Sequence, residues 1–250
     1  MDHFETIYTR RAADYHRMIA AEDVDGNLPA ALSELGRPRG KRILDLGSGT
    51  GRIPLLLGSQ AAQMVAVDLR RAMLLEQRRQ KSLAREKELA RLKEIGGKKE
   101  PSDADWSLVQ ADMRHIALVS GWAQLTLAGW AIGHLRTWFS QDWQRQMRIT
   151  LEEMQRVTQP GGRLVIIETL GTGSLVPKPP VESLAEYYTW LEQDWGFWRH
   201  EIRTDYQFDS VEQAVAHTQF FFGSELADKI RANRWRRVPE WTGIWTRDNT

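Results

Sequence analysis

The chain predicts an α/β fold: a doubly wound, mostly parallel sheet with an antiparallel final strand. Three observations predict it. A short apolar run at residues 42–46 leads into a glycine-rich turn and then an apolar helix. Short β-type runs then alternate with helical runs to about residue 168. The chain closes on a further strand pattern at 236–247. Taken in order, residues 1–40 read as helical, with breaks at Gly26-Asn27 and between Gly36 and Gly40. The second strand, 64–68, ends in Asp68. Residues 70–96 are a long charged helix, broken at Gly96-Gly97. The third strand is 106–112 and the fourth 125–129. A helix follows at 141–157, Pro160-Gly161-Gly162 makes a turn, and the fifth strand is 163–168. A proline-rich stretch at 175–180 leads to a helix at 182–194. Residues 198–208 have strand character and 210–233 are helical. There is no internal repeat. The expectation is one domain over 1–250, with an N-terminal helical cap (1–40), a charged helical extension and loop (70–105) and an aromatic-rich helical lid after the fifth strand (172–225).

Composition narrows the function. The 250 residues hold 34 Lys and Arg against 33 Asp and Glu, a formal net charge of +1. That balance gives no global case for a polyanion partner. The basic run at 70–100 carries a local net of +6, but it lacks interleaved aromatics and reads as a solvated helix with ion pairs such as Glu88 with Arg91. Nucleic acid is therefore not expected as a partner. The absence of Cys excludes disulfides, thiolate nucleophiles and cysteine zinc sites, and no metal is expected. No apolar run reaches the roughly 18–20 residues of a membrane span, and the amino terminus lacks an apolar signal core. A soluble, cytoplasmic monomer or homodimer is expected. Eleven Trp are an excess to be explained.

The most informative segment is Asp45-Leu46-Gly47-Ser48-Gly49-Thr50-Gly51. Alternate glycines let the backbone turn sharply and let a ligand approach closely, and the following helix offers free N–H groups. The dinucleotide spacing G-x-G-x-x-G fails, because Arg52 and Pro54 stand where a third glycine is needed. A phosphate-binding Gly-Lys-Ser/Thr is absent too. What remains is G-x-G-x-G preceded by an acid. It resembles motif I of the class I S-adenosylmethionine-dependent methyltransferases, and the resemblance continues over about residues 40–170. It is similar in motif order to the ubiquinone/menaquinone-type small-molecule subfamily. One departure is Ala123-Gln124-Leu125, where the family often has an acid before the fourth strand.

The resemblance implies a Rossmann-like fold, S-adenosyl-L-methionine as cofactor and S-adenosyl-L-homocysteine as product. Asp45, Gly47, Ser48 and Gly49 would then surround the cofactor's amino-acid end, with the acid facing its ammonium. Asp68 and Leu69 would take the ribose, Asp112 and Met113 the adenine. Trp130, after the fourth strand, would line the adenine or sulfonium side, where an aromatic face is favourable. Tyr8 and Tyr15 would belong to an N-terminal cap over the cofactor. His134 and Glu168, at the carboxyl edge of strands four and five, are the acid/base candidates. Trp190, Trp195 and Trp198 fall in the expected lid and suit an aromatic or cationic acceptor. Methyl transfer from a sulfonium is an in-line displacement helped mainly by positioning. The expected function is a small-molecule methyltransferase; an RNA or protein methyltransferase and a non-catalytic S-adenosylmethionine-binding partner stay open.

Overall fold

The computed structural model of the chain describes residues 3–94 and 106–250. Helices α1 (His3–Arg10), α2 (Ala12–Ile19) and α3 (Asn27–Leu35) lead into β1 (Arg42–Leu46), α4 (Arg52–Leu57), β2 (Gln63–Asp68), α5 (Arg71–Glu94), β3 (Ser107–Gln110) and β4 (Ala123–Gly129). Then come α6 (Gly133–Trp138), α7 (Trp143–Val157), β5 (Thr158–Thr172), α8 (Glu182–Gln193), β6 (Trp198–Arg203), β7 (Tyr206–Gln207), α9 (Val211–Asn233), β8 (Arg237–Val238) and β9 (Glu240–Asp248).

Seven strands form one sheet in the order β3-β2-β1-β4-β5-β9-β6, and β7 and β8 form a separate ribbon. The first five strands pair in parallel. β9 inserts antiparallel between β5 and β6. The chain winds outward from β1 through β2 to β3, then returns to β4 on the other side of β1. The crevice between the carboxyl ends of β1 and β4 is therefore the switch point, where open α/β sheets bind ligands.

Strand periodicity sorts the core. Ile43, Leu125, Leu127, Val165 and Ile167 face α3 and α4, meeting Leu28, Leu32 and Leu57. Leu44, Leu46, Ala128, Leu164 and Ile166 face the other layer, with Leu135 of α6, Met147, Leu151 and Met154 of α7, and Tyr187 and Tyr188 of α8. A sheet covered on both faces needs strands that are apolar nearly throughout. That is why these strands were visible as short continuous apolar runs.

The structure differs from the sequence reading in five places. The N-terminal helix breaks at Arg11 and ends at Ile19, well before Gly26. The Pro160-Gly161-Gly162 turn is absorbed into a long β5 as a register shift; Gly161 has φ +73° and its N–H donates to Asn249 O at 2.7 Å. The third strand stops at Gln110, leaving Ala111 and Asp112 in a turn. The strand expected at 198–208 divides at Thr204-Asp205, because the Asp205 carboxylate takes Arg203, Arg237 and the Glu240 N–H at once and holds a corner there. The expected helix at 210–233 forms, with the Ser210 hydroxyl accepting from Gln213 N, but is kinked at Gly223 (φ +81°). The Gly96-Gly97 break and the 95–105 loop of the charged extension lie outside the described residues. Within α5 the expected Glu88–Arg91 pair is present at 3.6 Å.

The aromatics of the segment expected as a lid are divided between the sheet and the cap. α8 turns Tyr187 and Tyr188 into the core, where Tyr188 lies 4.6 Å from the fully buried Trp245. Trp190 packs edge-on against Trp143 and Trp195, and Trp198 stands 78% exposed on the edge strand. Large aromatic faces gain most by covering the sheet, and the α8 face is used for that. The cover over the ligand crevice comes instead from α1 and α2, backed by Phe220 and Phe221 of α9.

Candidate active site

A cavity of about 550 Å³ opens at the carboxyl ends of β1, β2 and β4. Its floor is the glycine loop. Gly47 has φ +65°, and a Cβ there would lie 2.4 Å from the Ala131 Cβ; the loop can pass the end of β4 only because this residue has no side chain. Gly51, at φ +94°, is confined likewise by Gln77, whose Cγ would meet an added Cβ at 2.6 Å. The Gln77 side chain is fully buried under the loop. Its amide nitrogen donates to Ser48 Oγ and Gly49 O, each at 3.0 Å, and its oxygen accepts from Trp106 Nε1 at 2.9 Å.

Two acids meet this loop. Asp68 Oδ2 accepts from Gly49 N at 2.8 Å and Oδ1 from Arg70 N at 2.7 Å. One carboxylate thus ties the loop to the end of β2 and still has lone pairs for ligand hydroxyls. Burial raises its pKa, opposed by those two N–H donors. Asp45 is 1% exposed, and neither of its oxygens has a partner among the described residues. Burial, then the neighbouring Asp68, push its pKa well above the usual carboxylate range. An unpaired buried carboxylate is costly, and it is relieved when a ligand brings a positive charge.

The rest of the wall includes Tyr8, Tyr15, Leu69, Met113, Trp130, His134 and Trp138. Of the thirteen residues singled out in the sequence, Tyr8, Tyr15, Asp45, Gly47, Ser48, Gly49, Asp68, Leu69, Asp112, Met113, Trp130 and His134 border the cavity, and Glu168 does not. Tyr8 and Tyr15 descend from the cap and meet edge-to-face at 5.5 Å. Tyr8 and His134 are joined across the cavity, Tyr8 Oη to His134 Nε2, at 2.8 Å. The His134 ring stacks on Trp138 at 5.1 Å. Trp130 adopts φ +50°, rare for a large residue, and its N–H donates to Ile167 O at 2.6 Å.

Two of these residues have partners that the sequence did not show. Glu168 shares the strand face of Leu164 and Ile166, so the period-2 alternation sends it beneath α6 and away from the crevice. Its Oε1 accepts from Gly133 N at 2.8 Å, and burial raises its pKa to about 8. It anchors the start of the helix that carries His134. Asp112, expected to receive the adenine amino group, is instead gripped by Arg114, with Nε and Nη2 at 2.6–3.1 Å and the Arg114 backbone N–H at 2.9 Å. Those donors occupy both oxygens, and its pKa is accordingly lowered.

Glu168 has a measurable consequence. Its folded pKa, about 8, lies above the ordinary glutamate value of 4.5, so the folded state holds a proton that the unfolded chain releases. Stability from this group is complete below about pH 4.5 and is lost as pH rises to about 8. Glu168→Gln keeps an oxygen for Gly133 N and removes the titration. The variant's Tm is expected to fall less than that of the native chain between these pH values; an unchanged Tm–pH slope counts against this role.

Several site residues had no reading in the sequence. Arg52 follows Gly51 directly, and its guanidinium lies 4.2 Å over the Trp130 ring while Nη1 donates to Glu22 Oε2 at 2.7 Å. His16 Nδ1 lies 2.9 Å from Thr50 Oγ1, tying α2 to the loop. Arg70 pairs with Glu5 of α1 at 2.9 Å. Thus each arginine bordering the cavity already has a carboxylate: Arg52 has Glu22, Arg70 has Glu5 and Arg114 has Asp112. Asp45 and Asp68 have no ion pair of this kind among the described residues, so the floor offers two carboxyl groups to a cationic ligand.

A switch-point cavity, a G-x-G-x-G loop and acids near the ends of β1 and β2 are features of the class I S-adenosylmethionine-dependent methyltransferases, and the chain is similar to that family. Residues 44–166 match the family described as Methyltransferase domain. Among curated proteins, the chain is 28% identical over 164 residues to the biotin biosynthesis bifunctional protein BioHC of Cellvibrio japonicus, covering 66% of this chain and 25% of that protein. It is 26% identical over 159 residues to a demethylmenaquinone methyltransferase of Beutenbergia cavernae, covering 64% and 52%. The match thus spans only about a quarter and about half of these relatives. A SAM-dependent methyltransferase structure from Aquifex aeolicus superposes with a TM-score of 0.52 at 16% identity, covering 94% of this chain and 97% of that one. The family's cofactor is S-adenosylmethionine, and the orphaned Asp45 carboxylate beside a loop that admits no side chain at Gly47 fits its ammonium end.

Proposed function

We propose that the protein transfers a methyl group from S-adenosylmethionine to a small-molecule acceptor. The observation that carries this reading is the covered cavity: about 550 Å³, roofed by Tyr8 and Tyr15 of α1 and α2, within the range of small-ligand sites. The cofactor supplies an electrophilic methyl group on a sulfonium whose leaving group is a thioether. Asp45 would face its ammonium, Asp68 would accept from the ribose hydroxyls, and Leu69 and Met113 would flank the base. Trp130, clamped by Arg52, would present an aromatic surface to the sulfonium side. The remaining task is to align the acceptor in line and exclude water, which the cap helices are placed to do. Glu168 has no part in this reading beyond holding α6. A cytoplasmic setting is part of the proposal; among the described residues no helix is long and apolar enough to cross a membrane.

Calorimetry with S-adenosylhomocysteine is the first test, and no binding at millimolar ligand would remove the cofactor reading. Release of S-adenosylhomocysteine is then followed over a panel of phenols, quinols and amines against bulk RNA and unfolded protein. Turnover with a small acceptor is expected. Turnover only with the polymers overturns the small-molecule assignment, and cofactor binding without any turnover favours a non-catalytic partner.

A further inference from the structure

The strongest unassigned arrangement in the cavity is the link between its cap and its floor. Tyr8 is 9% exposed, comes from α1, and borders the cavity. Its hydroxyl lies 2.8 Å from Nε2 of His134, on α6 beyond the end of β4. The two rings are held on several sides. His134 stacks on Trp138 at an interplanar angle of 17° and meets Phe4 at 5.2 Å. Tyr8 is packed by Tyr15, Phe4 and Phe221. A phenol and an imidazole in such contact within an aromatic enclosure can pass a proton between them.

The charges around the cavity say what kind of acceptor needs that. An acceptor arriving as an anion would require a cation, but Arg52, Arg70 and Arg114 are each engaged by a carboxylate. A neutral acceptor suits the site, and a neutral hydroxyl becomes a competent nucleophile only as its proton leaves. We propose that Tyr8 and His134 form a proton relay for a neutral, planar hydroxyl-bearing acceptor such as a phenol or enol, with Tyr8 touching the acceptor. This rests on the methyltransferase reading above.

The acceptor O–H bond breaks and its proton goes to Tyr8 Oη as the proton of Tyr8 passes to Nε2 of His134. The electron pair left on the acceptor oxygen forms the bond to the methyl carbon, while that carbon's bond to sulfur breaks with its pair going to sulfur. A neutral imidazole has become imidazolium, and the sulfonium charge has disappeared.

Other titratable groups lie near the pair, among them His3 beside Phe4 and Arg11 over Phe220. On α1, Glu5 is paired with Arg70, which follows β2. Tyr15 of α2 contacts Tyr8, and burial holds its own pKa up. Behind α6, Glu168 is bound to Gly133 N, and Arg136 is bound to Glu186 of α8.

The test uses the full chain saturated with S-adenosylhomocysteine and 4-nitrophenol as the acceptor probe, whose phenolate absorbs visible light. In the native chain the ionisation midpoint of the bound phenol is expected to fall by about one pH unit, a tenfold stabilisation of the phenolate. Tyr8→Phe keeps the ring, and should keep S-adenosylhomocysteine affinity within about twofold while the midpoint returns to that of free nitrophenol. His134→Gln, which still offers Tyr8 an acceptor but cannot take a proton, should do the same. Three results overturn the relay: no nitrophenol binding to the S-adenosylhomocysteine complex, an unshifted midpoint in the native chain, or a shift that survives Tyr8→Phe. A large loss of S-adenosylhomocysteine affinity in Tyr8→Phe also overturns it, by making Tyr8 a cofactor residue. Failure of the native chain to bind S-adenosylhomocysteine is a different failure, since it removes the methyltransferase reading itself.

Discussion

Asp68→Ala is expected to weaken S-adenosylhomocysteine binding by roughly 100-fold or more. Two hydrogen bonds from a carboxylate to ribose hydroxyls are worth about 1.5 kcal/mol each, or about 3 kcal/mol together. A second loss adds to it, because the same carboxylate holds Gly49 N and Arg70 N, and without it the loop loses its tie to β2. Asp68→Asn separates the two contributions. Its single amide oxygen can keep Gly49 N, so its loss should be intermediate. Titration calorimetry reads both variants. If Asp68→Ala binds as tightly as the native chain, Asp68 is only a turn-former and the ribose assignment falls.

Asp45→Asn carries two opposite effects. The native carboxylate is buried and has no partner among the described residues, and its folded pKa is raised well above the ordinary aspartate range by burial and by Asp68. The folded free protein therefore binds a proton there that the unfolded chain has lost by neutral pH. The sign follows: this group's contribution declines as pH rises from the unfolded carboxylate range through the raised folded value. Removing the titration should raise the Tm of the free protein at pH 8. The cofactor side goes the other way. A ligand ammonium stabilises the ionised carboxylate, so binding should expel a proton, read as a dependence of the binding enthalpy on the buffer's heat of ionisation. In Asp45→Asn that proton release should vanish and S-adenosylhomocysteine affinity should fall by about 10- to 100-fold, the range for losing a charged hydrogen bond. Unchanged affinity together with unchanged proton release would make Asp45 a purely structural residue.

These expectations rest on features of different visibility. The glycine loop was readable because its chemistry is local. Positive φ at Gly47, Gly49 and Gly51 is written into residue type, and so is the acid one residue before the turn. Asp68 was readable for the same reason, ending an apolar run. His134, readable from its place after the fourth strand, borders the cavity. Its link to Tyr8 was not readable, because the two lie 126 positions apart and no pattern in the chain couples them.

The partners of several other residues were hidden for one reason. Strand and helix periods assign a residue to an element, and only packing decides which face of that element is wanted by its neighbours. Glu168 looks like an edge carboxylate in RLVIIE, yet the pleat aligns it with Leu164 and Ile166 under α6. Asp112 looks free in QADMR, but two residues later Arg114 folds back onto it. Tyr187, Tyr188 and Trp190 look like a lid because aromatics suit a pocket. They suit a sheet equally well, and α8 lies on the sheet.

The amino-acid sequence by itself determined the doubly wound sheet, the position of its switch point and the glycine loop there, because each depends on contacts between residues close in the chain. Which aromatics wall the site, which carboxylates stay unpaired and which side chain stands beside His134 were decided only by the tertiary structure. Those choices arise where α1 and α2 fold back over β1 and β4, and burial there sets each group's charge and partners.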